Sequence, residues 1–358
     1  MIKENNTYTG DNYPYVSIII IGQNESKNLK NSLLAVKNMD YPLEKIELLF
    51  VDSNSTDNSI EIAIPLVNKC ISIRSDLPSA GEAFNIGIKE SSYEYVWLSG
   101  GDIILDKYFL KKAIELMEEN NNIHAVTGYW EENEKQGWNK ILAYSFRKYT
   151  PKDHFVETSG GGIFRKQCLF KLDGFDERIK KGQETELGVR MKDYNYNIFY
   201  IHHQQGVHDY DINNIAKLIH RQFIEGISAS RVFFLSYYGN NNNRFFYEMK
   251  KIYIKRILYN IGKLLILILF IINNNFIEGL MIIIFINIIR AIYGFIKIML
   301  HGEDIKYGLL IILNILFDPI RFIGSLWFIP YWIRMHKKGV CLFGPKLGIS
   351  GQKDYRIL

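Results

Sequence analysis

Three short runs constrain this chain more than anything else in it: YVSIIII (Tyr15 to Ile21), IELLFV (Ile46 to Val51) and YVWL (Tyr95 to Leu98). Each is too short for an ordinary helix. Each is also too continuously apolar for a strand with one wet face, so all three read as strands buried on both sides. Amphipathic stretches separate them, one carrying Leu29, Leu33, Leu34 and Val36 behind the candidate caps Asn24 and Ser26, another running from about Asp57 to Val67 into a short strand at Cys70 to Arg74. This is a βαβαβ progression. Right-handed crossovers put its strands in one parallel sheet with their polar ends on the same edge, the edge where open α/β sheets bind ligands. Asp52, which follows the second run, and Asp102, in SGGD after the YVWL run, are thereby brought toward one cleft. Asp102 read alone fits equally well as a helix cap beyond a tight turn.

The helix ahead of the YVWL strand opens with SAGEAFNIG, Ser79 to Gly87. Gly81, Ala83 and Gly87 keep one of its faces small, and Asn85 offers both a donor and an acceptor, which suits either close approach of a ligand or close packing of helix on sheet. Neither a GxxxxGK[ST] loop nor a GxGxxG turn occurs, which argues against a P-loop NTPase and a dinucleotide oxidoreductase. The net charge of +5 over 358 residues is spread without a basic block, so nucleic acid is not an expected partner. Cys70, Cys168 and Cys341 lie far apart with no metal spacing and read as free thiols in a reducing compartment. The polar N-terminal stretch has no apolar core of the kind a cleavable signal needs, which places the polar part of the chain in the cytoplasm.

Composition changes sharply near Phe245. Beyond it come LLILILFII (Leu264 to Ile272), LMIIIFINII (Leu280 to Ile289) and LLIILNILF (Leu309 to Phe317). The expected organisation is a polar arm over 1–14, an α/β head over 15–240, a helical membrane-associated region over 241–335 and a basic tail over 336–358. Ile257 to Ile272 and Phe276 to Met299 form a helical hairpin turning at Asn273 to Asn275, its first arm about 24 Å long at 1.5 Å per residue, slightly short for a full span. Tyr307 to Trp332 reads as a third element broken at Asp318-Pro319 and lying in the interface or re-entrant. Lys250, Lys251, Lys255 and Arg256 and the basic C-terminal end both favour the cytoplasmic side, hence two spans. The competing reading of these runs is a buried all-helical domain.

Six segments taken in order carry a resemblance. YVSIIIIGQNE, FVDSNSTDNS, AGEAFNIGI, YVWLSGGDIILD, TSGGGIFR and the stretch from GFDERIKKGQETELG to VHDYD resemble the successive segments of family 2 glycosyltransferases over roughly Val16 to Arg231. The resemblance implies a GT-A-type nucleotide-sugar-binding domain of the α/β class with a mostly parallel central sheet, followed by an α-helical membrane tail. It implies donor contacts at Gly22, Asn24, Glu25, Asp52, Ser53, Gly81, Asn85, Gly101 and Gly161, metal ligation by Asp102 with His208 as a further ligand, and a catalytic base at Glu184. The chain departs from the family pattern in three places. Ser99, Gly100 and Gly101 stand where further carboxylates usually precede Asp102, Ser53 replaces the second member of an aspartate pair, and Gln183-Glu184 replaces a Glu-Asp pair.

Chemistry gives these residue types independent reasons. Loss of a nucleoside diphosphate leaves charge that a hard divalent cation neutralises, and one or two carboxylates suffice when phosphate oxygens complete the shell. A histidine ligand makes Mn2+ at least as suitable as Mg2+. An inverting transfer needs a base for the acceptor hydroxyl, for which Glu184 and Glu186 compete; either also suits a first-turn residue complementing the helix dipole. The expected partners are a nucleotide-sugar donor, a lipid-linked or glycan acceptor and membrane lipids, with an enzyme that loads polyprenyl phosphate, or a non-catalytic scaffold of a glycan-assembly complex, as alternatives. Donor base, sugar, linkage and oligomeric state are not encoded in any countable feature. They depend on loops such as Tyr129 to Tyr149.

Overall fold

The structure is a computed structural model of the chain and describes residues 13–75, 78–132, 153–157, 161–209, 214–238, 243–300, 306–337, 342, 346 and 348–358, with backbone alone at 294–295, 297–300 and 306–314. The chain divides into two compact units, one of Met1–Asn133, Arg147–Tyr210 and Gly344–Leu358, the other of Glu134–Phe146 and Asp211–Phe343. Most of the Tyr129 to Tyr149 loop, Thr158 to Gly160 and Cys341 lie outside the described residues.

The first unit is built on a sheet of ten strands: β1 (Val16–Gly22), β2 (Ile46–Asp52), β3 (Lys69–Ile73), β4 (Tyr95–Gly100), β5 (Ile103–Leu105), β6 (Ile123–Glu132), β7 (His154–Val156), β8 (Gly162–Arg165), β9 (Asn197–His208) and β10 (Tyr355–Ile357). Their order is β10-β3-β2-β1-β4-β8-β6-β9-β5, with β7 on β9. The four strands β3-β2-β1-β4 are parallel, as the apolar runs require. The expected mostly parallel sheet is nonetheless corrected to a mixed one: β8 runs antiparallel to β4 and β6, β5 and β7 antiparallel to β9, and β10 antiparallel to β3. Continuous burial identifies a strand but not its direction: β8 is fully buried yet antiparallel to both its neighbours, and the half-buried β9 runs parallel to β6.

Helices α1 (Leu29–Val36) and α4 (Phe109–Glu119) cover one face of the sheet, and α3 (Ala80–Glu90) the other; α2 (Ser59–Ala63), α5 (Lys166–Lys171) and α6 (Gln183–Asp193) complete the unit. Alternation along β1 assigns the two cores. Ile18 and Ile20 join Trp97, Phe50 and Phe109, while Ile19 joins Val51, Val96, Leu98, Leu187 and Met191. The helix expected to reach Val67 stops at Ala63: Ile64 still donates to Ile60 O at 3.0 Å, but Pro65 has no N–H to continue the ladder. Ser79 caps α3 by accepting from Glu82 N at 3.1 Å. The small face of α3 meets β1 and β2: a Cβ at Gly87 would stand 2.4 Å from Ile19 Cγ2 and 3.2 Å from Val51 Cγ2.

The second unit holds α7 (Ile215–Tyr238), α8 (Arg244–Ile272), α9 (Phe276–Leu300) and α10 (Lys306–Lys337). α7 and α10 cross almost backbone to backbone, a Cβ at Gly226 falling 2.0 Å from the Arg321 carbonyl oxygen and one at Gly324 falling 2.2 Å from that of Phe223. The hairpin turning at Asn273 to Asn275 is present, Phe270 packing against Gly279. The third element is not broken at Asp318-Pro319; α10 runs through both Pro319 and Pro330. Asp318 is buried and pairs with Arg290 and, at 3.9 Å, with Arg256, so its charge is met by neighbouring helices and no break is needed to expose it. Among the described residues one helical stretch, Phe276–Tyr293, is long and apolar enough to cross a membrane, with a mean hydropathy of 2.0.

Two boundaries differ from the sequence reading. α7 groups with the other long helices, not with the head, and the C-terminal residues return to the sheet as β10, not as a separate tail, because Ile349 and the β10 backbone find partners there. Gly87→Val should lower the stability of the first unit by about 1–3 kcal/mol, since neither Ile19 nor Val51 has room to yield; the midpoint of urea or thermal unfolding measures it.

Candidate functional site

The register of the parallel strands builds the site. Gly22 stands opposite Asp52 and Ile21 opposite Gly100, and the ladder continues one bond past each strand: Ser53 N donates to Gly22 O and Gly101 N to Ile21 O, both at 2.8 Å. Asp52, Ser53, Gly22, Gly101 and Asp102 therefore share one sheet edge. At Gly101 the helix behind leaves no room, a Cβ meeting Glu25 and Leu29 at 3.2–3.3 Å.

The loops after β1 and β2 are sewn together. Asn24 sits in the left-handed region at φ 58, its amide donates to Ser55 Oγ at 2.8 Å, and its side-chain oxygen accepts from Thr56 N at 2.8 Å. Glu25 N donates to Ser59 Oγ and Ser26 N to Asp57 Oδ2. Burial alone pushes the Asp57 carboxyl up, but bonds from Ser59 and Ser26 outweigh it and hold the group at about 2. Asn24 thus spends its acceptor on the rim of the site. Glu25 packs its stem against Gly22 and Gly101.

Asp52 is fully buried; its Oδ2 accepts from Ser55 N at 3.0 Å while Oδ1 has no hydrogen-bond partner among the described residues. A buried carboxylate oxygen left unmatched is costly, and it marks a place shaped for a donor group. Asp102 lies beside His208, Oδ2 to Nε2 at 3.0 Å, because β5 pairs antiparallel with β9 and sets Ile103 against His208. Asp102 O also accepts from Asp209 N at 3.0 Å, which fixes the turn. One carboxylate and one imidazole nitrogen facing each other form a hard-plus-borderline donor pair that suits Mn2+ or Zn2+ better than Ca2+. Among the described residues no group of three or more His, Cys, Asp or Glu side chains gathers, so a cation here needs oxygens from a ligand to complete its shell.

Glu184 opens α6 after Gly182 in the left-handed region, half-buried, with Gln183 Nε2 donating to its Oε1 at 3.1 Å. Burial raises its pKa above the ordinary glutamate range. The competing Glu186 is committed elsewhere, paired with Arg190 at 2.7 Å and almost fully buried. No hydrogen bond or ion pair among the described residues joins Glu184 to Asp102 or His208.

Gly81 and Asn85 are engaged with the 175–177 loop. Asn85 Nδ2 donates to Phe175 O and to Glu177 Oε1, and its Oδ1 accepts from Phe175 N, while a Cβ at Gly81 would meet Phe175 at 3.2 Å. Both residues serve the packing of α3 against the 175–177 loop. Gly161, at φ +92, lies against Trp130, Leu98 O and Gln205 Nε2. Gln205 was not legible as a site residue. Its Oε1 accepts from Gly128 N at 2.8 Å, which fixes the amide's orientation, and its buried Nε2 has no partner among the described residues. Polar alternation in HHQQG gave no sign of this.

Residues 17–178 match the family described as Glycosyl transferase family 2. Glycosyltransferase AglE of Haloferax volcanii is 26% identical over 231 residues, 62% of this chain and 75% of its own length. A poly-beta-1,6-N-acetyl-D-glucosamine synthase of Staphylococcus epidermidis is 32% identical over 117 residues, and the match spans 32% of this chain but 28% of the synthase. Among solved structures, the mannosyltransferase PcManGT of Pyrobaculum calidifontis, in complex with GDP-Man and Mn2+, superimposes with a TM-score of 0.53 at 14% identity, covering 90% of this chain and 88% of its own.

Glu184 makes a prediction about stability with a definite sign. A carboxyl whose pKa is raised on folding binds its proton more tightly in the native state, so its contribution is fully present below the unfolded value of about 4.3 and is lost as pH rises through the raised native value. Glu184→Gln should therefore gain stability over wild type progressively from pH 4 toward neutrality; a difference that is flat across this range contradicts the assigned burial.

Proposed function

Because the chain carries a family 2 glycosyltransferase domain of GT-A fold over residues 17–178, we propose that it transfers a sugar from a nucleotide-sugar donor, with inversion, to a hydroxyl of a lipid-linked or cell-surface glycan precursor at the cytoplasmic face of a membrane. The observation that carries this reading is the Asp102–His208 pair on the same sheet edge as the unmatched Asp52 Oδ1.

In this reading Asp52 accepts from the ring or exocyclic N–H of the donor base, with Ser53 beside it. Gly22 and Gly101 let backbone and diphosphate come close, and Gly161 does the same on the sugar side. Asp102 and His208 would hold a divalent cation, Mn2+ being favoured by the imidazole. When bound, it would supply positive charge to balance that of the departing nucleoside diphosphate. Glu184 takes the acceptor hydroxyl's proton as that oxygen attacks the anomeric carbon and the diphosphate leaves from the opposite side. Its raised pKa suits the role, since a base is most effective when its pKa approaches the working pH. The ring of bonds between the first two loops keeps the donor side ordered, so little order has to be gained on binding.

Membrane attachment is supported by the apolar stretch Phe276–Tyr293 and by the hairpin that contains it. Lys250, Lys251, Lys255 and Arg256 on α8 support a cytoplasmic first junction, where anionic lipid would also attract them. A head tethered there meets a lipid-linked acceptor at high effective concentration.

The full-length protein should be stabilised by UDP or GDP only when Mn2+ is present, by about 2.7 kcal/mol at 100 times the dissociation constant. Asp102→Ala and His208→Ala should both remove the metal-dependent part, and chelation should abolish release of nucleoside diphosphate from the matching donor. Glu184→Gln should keep the stabilisation while slowing turnover by roughly 10²–10⁴. Equal turnover in wild type, Asp102→Ala and Glu184→Gln would sink these assignments, and a wild type inert toward every nucleotide would favour a scaffold.

A further inference from the structure

The last residues of the chain return to the first unit and grip one loop at several points. That loop, 172–178, leads into α6. From the C-terminal side, Lys346 Nζ donates to Leu172 O at 3.1 Å and Gly174 O at 3.4 Å, Ser350 N donates to Asp173 Oδ1 at 2.9 Å, and Ile349 N donates to Asp173 O at 3.4 Å. Gly348 reaches Asp173 so closely, at φ +58, that a Cβ would lie 2.0 Å from its carboxylate. The Lys353 ammonium, its side chain almost fully buried, pairs with Glu177, whose Oε1 also accepts from Asn85 at 2.7 Å. β10 then locks the segment to β3, with Tyr355 Oη donating to Glu90 at 2.6 Å.

From the opposite side, α6 grips the same two carbonyls. Arg190 donates to Leu172 O and to Gly174 O, both at 2.7 Å, and is itself held by Glu186. Ile349 packs in the core that contains Leu187 and Met191 of α6. Loop 172–178 is thus clamped between the C-terminal segment and the helix that carries Glu184 in its first turn. Breaking one partner of a buried pair such as Lys353–Glu177 leaves a charge without compensation, so the clamp is sensitive to a single side chain.

We infer that residues 346 and 348–358 are a positioning strap: by fixing loop 172–178 and, through Arg190, the orientation of α6, they aim Glu184 at the acceptor. Lys346 and Lys353 act through the loop and touch no substrate. The inference rests on the reading of Glu184 as the base, but the strap itself has a signature that needs no activity.

Hydrogen–deuterium exchange on the full-length protein tests it, comparing wild type with Lys353→Met, Lys353→Arg, Lys346→Met and a chain ending at Phe343 with and without a synthetic 344–358 peptide. Residues 172–193 should exchange at least about tenfold faster in Lys353→Met, in Lys346→Met and in the shortened chain. Lys353→Arg and the added peptide should restore protection, and β1, β2 and β4 should not change in any of them. In parallel, release of nucleoside diphosphate from UDP-GlcNAc and GDP-mannose with Mn2+ should lose about tenfold or more in kcat at an unchanged donor KM, because the donor edge is untouched. Unchanged exchange over 172–193, or loosening shared equally by the whole sheet, overturns the strap. The predicted exchange pattern in a wild type that releases no diphosphate supports the strap and sinks the donor-site reading instead.

Discussion

Two backbone hydrogen bonds carry the candidate site. Where β1 ends, its last carbonyls accept from Ser53 N on one side and Gly101 N on the other, extending the ladder past the strands proper. That extension aligns Asp52 and Asp102 on a common edge. The alignment depends in turn on the parallel pairing of strands buried on both faces, and so on the isoleucine-rich run of β1, whose alternate side chains fill both cores. A slip of one residue in this register would exchange the two cores and carry both carboxylates out of line. Stability and site geometry are therefore the same constraint seen at two scales.

Much of this was legible in the sequence, for a physical reason. Continuous β-branched runs admit few structures, and the parallel strands, the edge on which Asp52 and Asp102 stand, and the hairpin at Asn273 to Asn275 all followed from them. The antiparallel half of the sheet did not, because its strands are short or half-buried and their pairing is set by partners distant in sequence. Asn85 illustrates the same limit within the site. Its residue type suits a ligand, yet its amide is fully engaged with Phe175 and Glu177, partners about ninety residues away that no local pattern reveals. Gln205 is the converse case, a polar residue in an unremarkable stretch whose unmatched Nε2 appears only once Gly128 fixes its other end.

The departures from the usual acidic pattern make electrostatic sense together. With Ser99 and the two glycines ahead of Asp102, the edge carries less negative charge, and His208 supplies a second donor that is neutral when deprotonated. In the proposed reading, a cation held by so few protein charges would bind weakly until diphosphate oxygens joined it, which would couple metal and donor binding. Gln183 follows the same logic: a neutral amide donates to Glu184 where a second carboxylate would repel it. In the helical unit the opposite arrangement holds, with Asp318 buried among Arg256 and Arg290, and a carboxylate there serves helix packing.

The central claim is that Asp102 and His208 together receive a cation bridged to a nucleoside diphosphate. Electron spin-echo envelope modulation on the full-length protein loaded with Mn2+ and the preferred nucleoside diphosphate tests it without reference to turnover. The account predicts phosphorus coupling together with coupling to a directly bound imidazole nitrogen, and in His208→Ala the nitrogen signal should vanish, leaving only the spectrum of Mn2+ and nucleotide free in buffer. Phosphorus coupling alone in the wild type, with no histidine nitrogen, or a spectrum indistinguishable from Mn2+ and nucleotide free in buffer, would contradict it.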